Sequence, residues 1–211
     1  MLDDLPAFIL GNSPYLPTGD LDCLAERLTI GVNRIVRVCT PTVVMWVDRS
    51  VYDDVGNLID GGGALPVCDR AVRHRQRHVG LKTWVGDDAL KHESAADVLC
   101  CNGNTGCMAA RWALALGCRP VYLVGMEARY RDGLTDFWGR NPRHRREGLV
   151  STLDVIRGEL ARLLRDHGRD VAAIGDGRTL REVAARCGRV DQGEIRSRIR
   201  QILRDRAVEA A

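Results

Sequence analysis

The feature that most limits what this chain can fold into is a series of short, wholly apolar runs, each closed by a small or polar residue. Ala7–Leu10 (AFIL) stops at Gly11-Asn12-Ser13, Leu28–Val32 (LTIGV) at Asn33-Arg34, residues 42–47 (TVVMWV) at Asp48, and Val121–Val124 (VYLV) at Gly125. A strand with one wet face alternates polar and apolar residues, whereas a strand with no polar position is covered on both faces. Such strands, separated by helix-like stretches, predict a parallel sheet with helices on either side.

The rest of the chain fits that reading in part. A short helix is predicted over 21–27 with Asp20 as its N-cap, strands over 82–85 and 98–101, and an alanine-rich helix over 105–116 with Gly117 as its C-cap. Leu149, Leu153, Ile156, Leu160, Leu163 and Leu164 recur at three- and four-residue steps and Gly168 ends that helix. A last strand is expected over 171–174. Ile195, Ile199, Ile202 and Leu203 mark a terminal amphipathic helix with an arginine-covered outer face. Between Gly61-Gly62-Gly63 and the alanine-rich helix no clear period emerges. The expectation is one Rossmann-like α/β domain over 1–190, mostly parallel sheet, with the basic helix over 191–211 appended.

A chain of 211 residues with 45% hydrophobic residues buries an adequate core without disulfides or structural metal. No apolar run approaches the roughly 20 residues of a membrane span, and the acidic start Met1-Leu2-Asp3-Asp4 is unlike a signal peptide. A cytoplasmic protein with no membrane partner is expected. The 8 cysteines share no pair spacing and no zinc-finger pattern, so reduced thiols in the core are expected. The net charge of +3 is gathered in three basic stretches: Arg70 to Lys91, Arg129 to Arg146, and Arg196 to Arg206. Such stretches are solvated surface or a surface meeting phosphates.

Open parallel sheets bind ligands outside the carboxyl ends of their strands. The turns there, together with Asn102-Gly103-Asn104-Thr105-Gly106 before the alanine-rich helix, bring glycine backbone and a helix start to that edge. Ordinary strand-to-helix turns also favour Gly and Asn, so the case rests on several turns sharing one edge.

These residues carry a resemblance. The order Ile9-Leu10-Gly11-Asn12-Ser13-Pro14, Thr29-Ile30-Gly31-Val32-Asn33-Arg34, Val47-Asp48 resembles the N-terminal half of the MptE-like (6-hydroxymethylpterin diphosphokinase-like) Rossmann proteins. Thr105-Gly106, Ala113 to Gly117 and Val121 to Gly125 resemble their second block. Both blocks also occur in bacterial sialyltransferases that use a nucleotide-sugar donor, and compact proteins of this type resemble enzymes carried by bacteriophages. The resemblance spans most of residues 7–175, with little between 51 and 99. It implies a nucleotide site at Gly11, Asn12, Ser13, Asn33, Thr105 and Gly106, Tyr130 steadying the leaving phosphate, and His144 as the catalytic base. The chain departs from the pattern at Ser13 and Tyr15 of the first loop, and has Glu127 where an Asp is common.

His144 sits among Arg140, Arg143, Arg145 and Arg146, whose charges favour a neutral imidazole able to take a proton from an acceptor hydroxyl. The arginines are assigned to the acceptor or its phosphates. Asp48 and Glu127 complete the catalytic candidates. His74 and His78, four residues apart, lack a third ligand and read as surface histidines. Asp20-Leu21-Asp22 has the letters of a metal motif but reads as helix capping. No metal and no cofactor beyond a nucleotide-sugar co-substrate is therefore expected. Three readings stay open: a glycosyltransferase, with DNA bearing hydroxymethylated pyrimidines as an acceptor suited to the basic stretches; a magnesium-dependent pyrophosphokinase; and a non-enzymatic nucleotide or nucleic-acid binder. A homo-oligomer built on the terminal helix is a further expectation.

Overall fold

A computed structural model describes residues 1–84, 95–100, 104–129, 146–174 and 179–209. They form a single α/β domain around an eight-stranded sheet, consistent with a Rossmann-like fold. The strands are β1 (Ala7–Leu10), β2 (Leu28–Val32), β3 (Val43–Trp46), β4 (Leu65–Asp69), β5 (Val79–Trp84), β6 (Val98–Cys100), β7 (Val121–Val124) and β8 (Val171–Ala173). Their order is β6-β5-β4-β3-β2-β1-β7-β8, with every pairing parallel. The helices are α1 (Arg49–Gly61), α2 (Thr105–Ala115), α3 (Arg146–His167), α4 (Leu180–Arg186) and α5 (Gln192–Glu209).

Residues along each strand divide between two cores because successive side chains point to opposite faces. Ala7 and Ile9 of β1, with Ile30, Val43, Met45 and Val67, pack under α2 together with Leu163 of α3 and Ile195, Ile199, Ile202 and Leu203 of α5. Phe8 and Leu10 pack on the other face with Leu180, Val183 and Ala184 of α4, and Val44, Trp46 and Cys68 pack beneath Val51, Val55 and Ile59 of α1. α2 is buried along its whole length, which explains its alanines: it lies too close to the sheet for larger side chains all round.

Three expectations need correcting. Residues 18–24 form a 3₁₀ turn with Pro17, not Asp20, at its cap. The carboxylates of Asp20 and Asp22 instead hold Arg181 of α4, at 2.7 and 2.9 Å. Leu164 faces solvent rather than the core. The cysteines behave as anticipated: all those described are free, and burial pushes the thiols of Cys68 and Cys118 up to about 12. Among the described residues no helix is long and apolar enough to cross a membrane.

Candidate functional site

Strand order reverses between β1 and β7, since the chain winds outward from β1 to β6 and then returns to β1's other side. The carboxyl ends of β1 and β7 therefore flank a crevice at the topological switch point. The amides of Gly11 and Ser13 donate to the carbonyls of Val124 (2.8 Å) and Gly125 (3.0 Å), which lock the two strand ends together. Asn12 reaches the other way, its Nδ2 donating to the Val32 carbonyl at the end of β2 (3.2 Å). Asn33 follows directly with φ of 53°, a left-handed conformation that asparagine tolerates better than most residues. Glu127 lies two residues past Gly125. At this edge, Asn12 Oδ1 after β1, Asn33 Oδ1 after β2 and Glu127 Oε2 after β7 are buried oxygens with no hydrogen-bond partner among the described residues.

The start of α2 completes this edge. Asn104 caps it, its Oδ1 accepting from the Cys107 amide at 2.9 Å, and Thr105 beside it is only 9% exposed. What lies against Gly11 and Gly106 is the Met126 side chain. A Cβ on Gly11 would be driven into the Gly125 carbonyl oxygen and to 2.6 Å from Met126 Cγ, whereas one on Gly106 would meet the mobile end of Met126. The two glycines should therefore respond differently. Gly11→Ala is expected to cost about 1–3 kcal/mol, because backbone oxygen cannot yield. Gly106→Ala is expected to be near neutral, because Met126 can rotate and Ala favours a helix by roughly 0.5–1 kcal/mol. Denaturant melts of both variants would check this; equal losses would show that Met126 is fixed.

Contacts that no local pattern announces tie the loop after β1 to the chain after β7. Ser13 Oγ accepts from the Tyr15 amide (3.1 Å), and the Arg129 guanidinium lies 4.3 Å above the Tyr15 ring. Arg157 of α3 donates to the Ala128 carbonyl at 3.2 Å, fixing the chain as it leaves β7. Only the charge of Arg129 was visible in sequence; nothing local marked its stacking on Tyr15.

The remaining candidates are scattered. Asp48 is exposed before α1 and makes no side-chain cap bond. It follows β3, three strand spacings from β7, which is roughly 14 Å from the Glu127 side of the crevice. His144, Tyr130, Arg140, Arg143 and Arg145 lie outside the described residues, and Arg146 is the first residue of α3. Among the described residues no three His, Cys, Asp or Glu side chains come together as metal ligands would.

His74 and His78 are not free surface histidines. His78 is 1% exposed, its Nε2 lies 2.9 Å from Asp60 Oδ1, and its ring meets Trp46 edge-on. His74 stacks on Tyr52 with centroids 4.1 Å apart. The neighbouring Arg75 and Arg77 are paired with the same Asp60, at 3.5 and 2.9 Å, so its single negative charge offsets part of theirs.

No protein-family model matches the chain, and no curated protein does. Among solved structures, it is similar to the sialyltransferase CstII from Campylobacter jejuni in complex with the substrate analogue CMP-3FNeuAc, at 14% identity and a TM-score of 0.45 over 84% of each chain. The same enzyme with cytidine-5'-monophosphate gives 14% identity and a TM-score of 0.47 over 90% of this chain and 86% of that one.

Proposed function

We propose that the chain is a glycosyltransferase that moves a sugar from a nucleotide-sugar to an acceptor hydroxyl, with inversion and without a metal ion. The observation that carries this reading is the trio of buried oxygens on Asn12, Asn33 and Glu127 at the carboxyl ends of β1, β2 and β7, which have no partner among the described residues. A buried polar atom left in that state costs about 1–3 kcal/mol unless a ligand supplies a donor. Ribose hydroxyls, sugar hydroxyls and a base's exocyclic amine are donors. Phosphate is not, and it belongs at the start of α2, where the helix dipole favours negative charge. A nucleotide-sugar therefore fits with its hydroxyl-bearing portion over the asparagines and its phosphate near Thr105 and Gly106.

In this reading the acceptor hydroxyl gives its proton to His144. Its oxygen attacks the anomeric carbon from the face opposite the bond to phosphate, and the nucleotide departs with that bond's electron pair. Arg140, Arg143, Arg145 and Arg146 offset the charge that develops. A hydroxymethylated pyrimidine in DNA suits an acceptor loop so rich in arginine. A pyrophosphokinase needs carboxylates converging on magnesium and ATP; the separation of Asp48 from Glu127 by three strand spacings argues against it.

Calorimetry with a panel of nucleotide-sugars and free nucleotides tests the placement. Asn33→Ala and Thr105→Val should each weaken binding about three- to tenfold, the worth of one neutral hydrogen bond, with the fold intact, although Asn33→Ala should also lose about 1 kcal/mol of stability because alanine is strained at a left-handed φ. Unchanged affinity in both variants overturns it. Turnover that survives excess EDTA supports the transferase; loss restored by magnesium supports the pyrophosphokinase.

A further inference from the structure

α5 carries more positive charge than the fold neutralises. Its Ile195, Ile199, Ile202 and Leu203 are all less than 9% exposed in the main core, so the helix is fixed in orientation. Gln192 at its start donates to the carbonyls of Ala25 and Arg27 and its Oε1 accepts from Thr42 Oγ1. These positions precede β2 and β3, and Arg198 donates to the Met1 carbonyl. α5 therefore lies along the amino edge of the sheet, opposite the strand ends that carry Asn12, Asn33 and Glu127.

Most exposed arginines elsewhere are ion-paired: Arg37 with Asp54, Arg77 with Asp60, Arg119 with Asp170, Arg181 with Asp20 and Asp22, Arg189 with Glu26. Arg196, Arg200 and Arg204 differ. They recur every four residues on one flank of α5, and among the described residues no carboxylate pairs with any of them. Arg204 meets only the neutral Gln201 Oε1, at 2.8 Å. Glu194 and Asp205 fall on the other flank, by the 100° turn per residue of an α-helix.

We propose that the Arg196–Arg200–Arg204 stripe is a docking surface for the phosphate backbone of duplex nucleic acid, separate from the crevice. Steps of four residues set successive arginines about 6 Å apart along the axis, about 12 Å in all. That length is enough for two or three phosphates of one strand, whose charges rise roughly 3.4 Å each along the duplex axis and lie farther apart along the winding backbone. The stripe is narrow and linear. An anionic bilayer fits it less well, because the apolar face of α5 is consumed by the core, leaving nothing to insert, and Glu194 and Asp205 would meet the same plane. The surface does not depend on the transferase reading: it holds a polymer whatever chemistry the crevice performs.

Fluorescence anisotropy with a labelled 20-base-pair duplex, titrated at several salt concentrations, is the test. The triple variant Arg196→Gln, Arg200→Gln, Arg204→Gln should bind at least tenfold more weakly at low salt. Its log–log salt slope should be shallower by about 2.7, three contacts at roughly 0.9 each. Arg200 and Arg204 are exposed and Arg196 is half-buried, and an unchanged melting temperature confirms that the helix stays docked. Unchanged nucleotide-sugar affinity in the same variant separates this surface from the crevice. An absence of duplex binding by the unaltered protein at low salt, or a variant that binds with the same affinity and slope, overturns the proposal. So does equal arginine-dependent binding to phosphatidylserine vesicles, which would assign the stripe to a membrane surface.

Discussion

His144→Ala is expected to lower kcat by about 10²–10⁴-fold, the usual loss when a positioned general base is removed, while donor affinity stays within twofold of the unaltered protein. The inverting reaction requires a proton to leave the acceptor hydroxyl as the new bond forms, and imidazole is the side chain whose ordinary range suits that transfer near neutrality. His144 enters through the resemblance of its surroundings rather than through geometry. The described structure supplies the frame. The chain leaves β7 past Glu127 and Ala128, is pinned by Arg129 over Tyr15 and by Arg157 on Ala128, and re-enters at Arg146 of α3. The measurement is a pair of assays on one preparation: steady-state turnover, and calorimetry with the nucleotide-sugar. A base should affect the first and spare the second, and its loss should remove the acid limb of the pH–rate profile. Near-normal turnover would move the base to Asp48 or Glu127. Parallel losses in turnover and donor binding would make His144 a donor contact instead.

Why some elements were readable and others were not follows from their surroundings. β1, β2 and β7 match the predicted bounds because they are covered on both faces, and burial of every position but Tyr122 leaves runs in which Thr29 is the one aliphatic hydroxyl. β4 was missed: Pro66 sits inside it, pairing with Val44 where a proline argues against an inner strand. α1 was missed because Asp53, Asp54, Gly56, Asn57 and Asp60 crowd it. Its buried set, Val51, Val55 and Ile59, is a sparse stripe at four-residue steps. α4 was marked by a capping box, Thr179 with Glu182, which is legible in the sequence once noticed.

The site divides in the same way. Asn12 and Asn33 could be placed at strand ends because buried strands show as apolar runs closed by polar residues. The Tyr15–Arg129 contact joins residues 114 apart in number through the β1–β7 pairing, and no local periodicity encodes it. His74 and His78 misled for a related reason. Their arginine-rich neighbours suggest solvent, but Asp60 at the end of α1 draws the segment inward, and α1 itself had not been recognised.

That segment gives the largest expected effect on stability. Asp60→Ala should destabilise the fold by about 2–4 kcal/mol, because it removes several charge-assisted bonds at once and leaves a buried imidazole nitrogen unpaired. Tyr52 Oη donates to Asp60 Oδ2 at 2.8 Å, His78 Nε2 lies 2.9 Å from Oδ1, and Arg77 and Arg75 approach at 2.9 and 3.5 Å. The Tyr52 ring lies over Gly56, where an added Cβ would come within 3.1 Å of it, closer than an ordinary contact. In a domain this size such a loss corresponds to a fall of about 5–15 °C in melting temperature. The pH dependence has a definite sign. Burial alone would raise the Asp60 carboxyl, but hydrogen bonds from His78, Arg77 and Tyr52 outweigh it and hold the group well below the ordinary carboxylate range. A group depressed in the folded state stabilises in full above its unfolded value of about 3.9, and that contribution is lost as pH falls toward the folded value. The stability gap between the unaltered protein and Asp60→Asn, which keeps the shape but not the charge, should therefore be constant from pH 7 down to about pH 5 and narrow progressively below about pH 4. Urea melts across that range would reveal it. A gap that persists unchanged at pH 3 would mean that shape and packing around Tyr52 and His78, rather than the carboxylate charge, hold the arginine-bearing segment against α1.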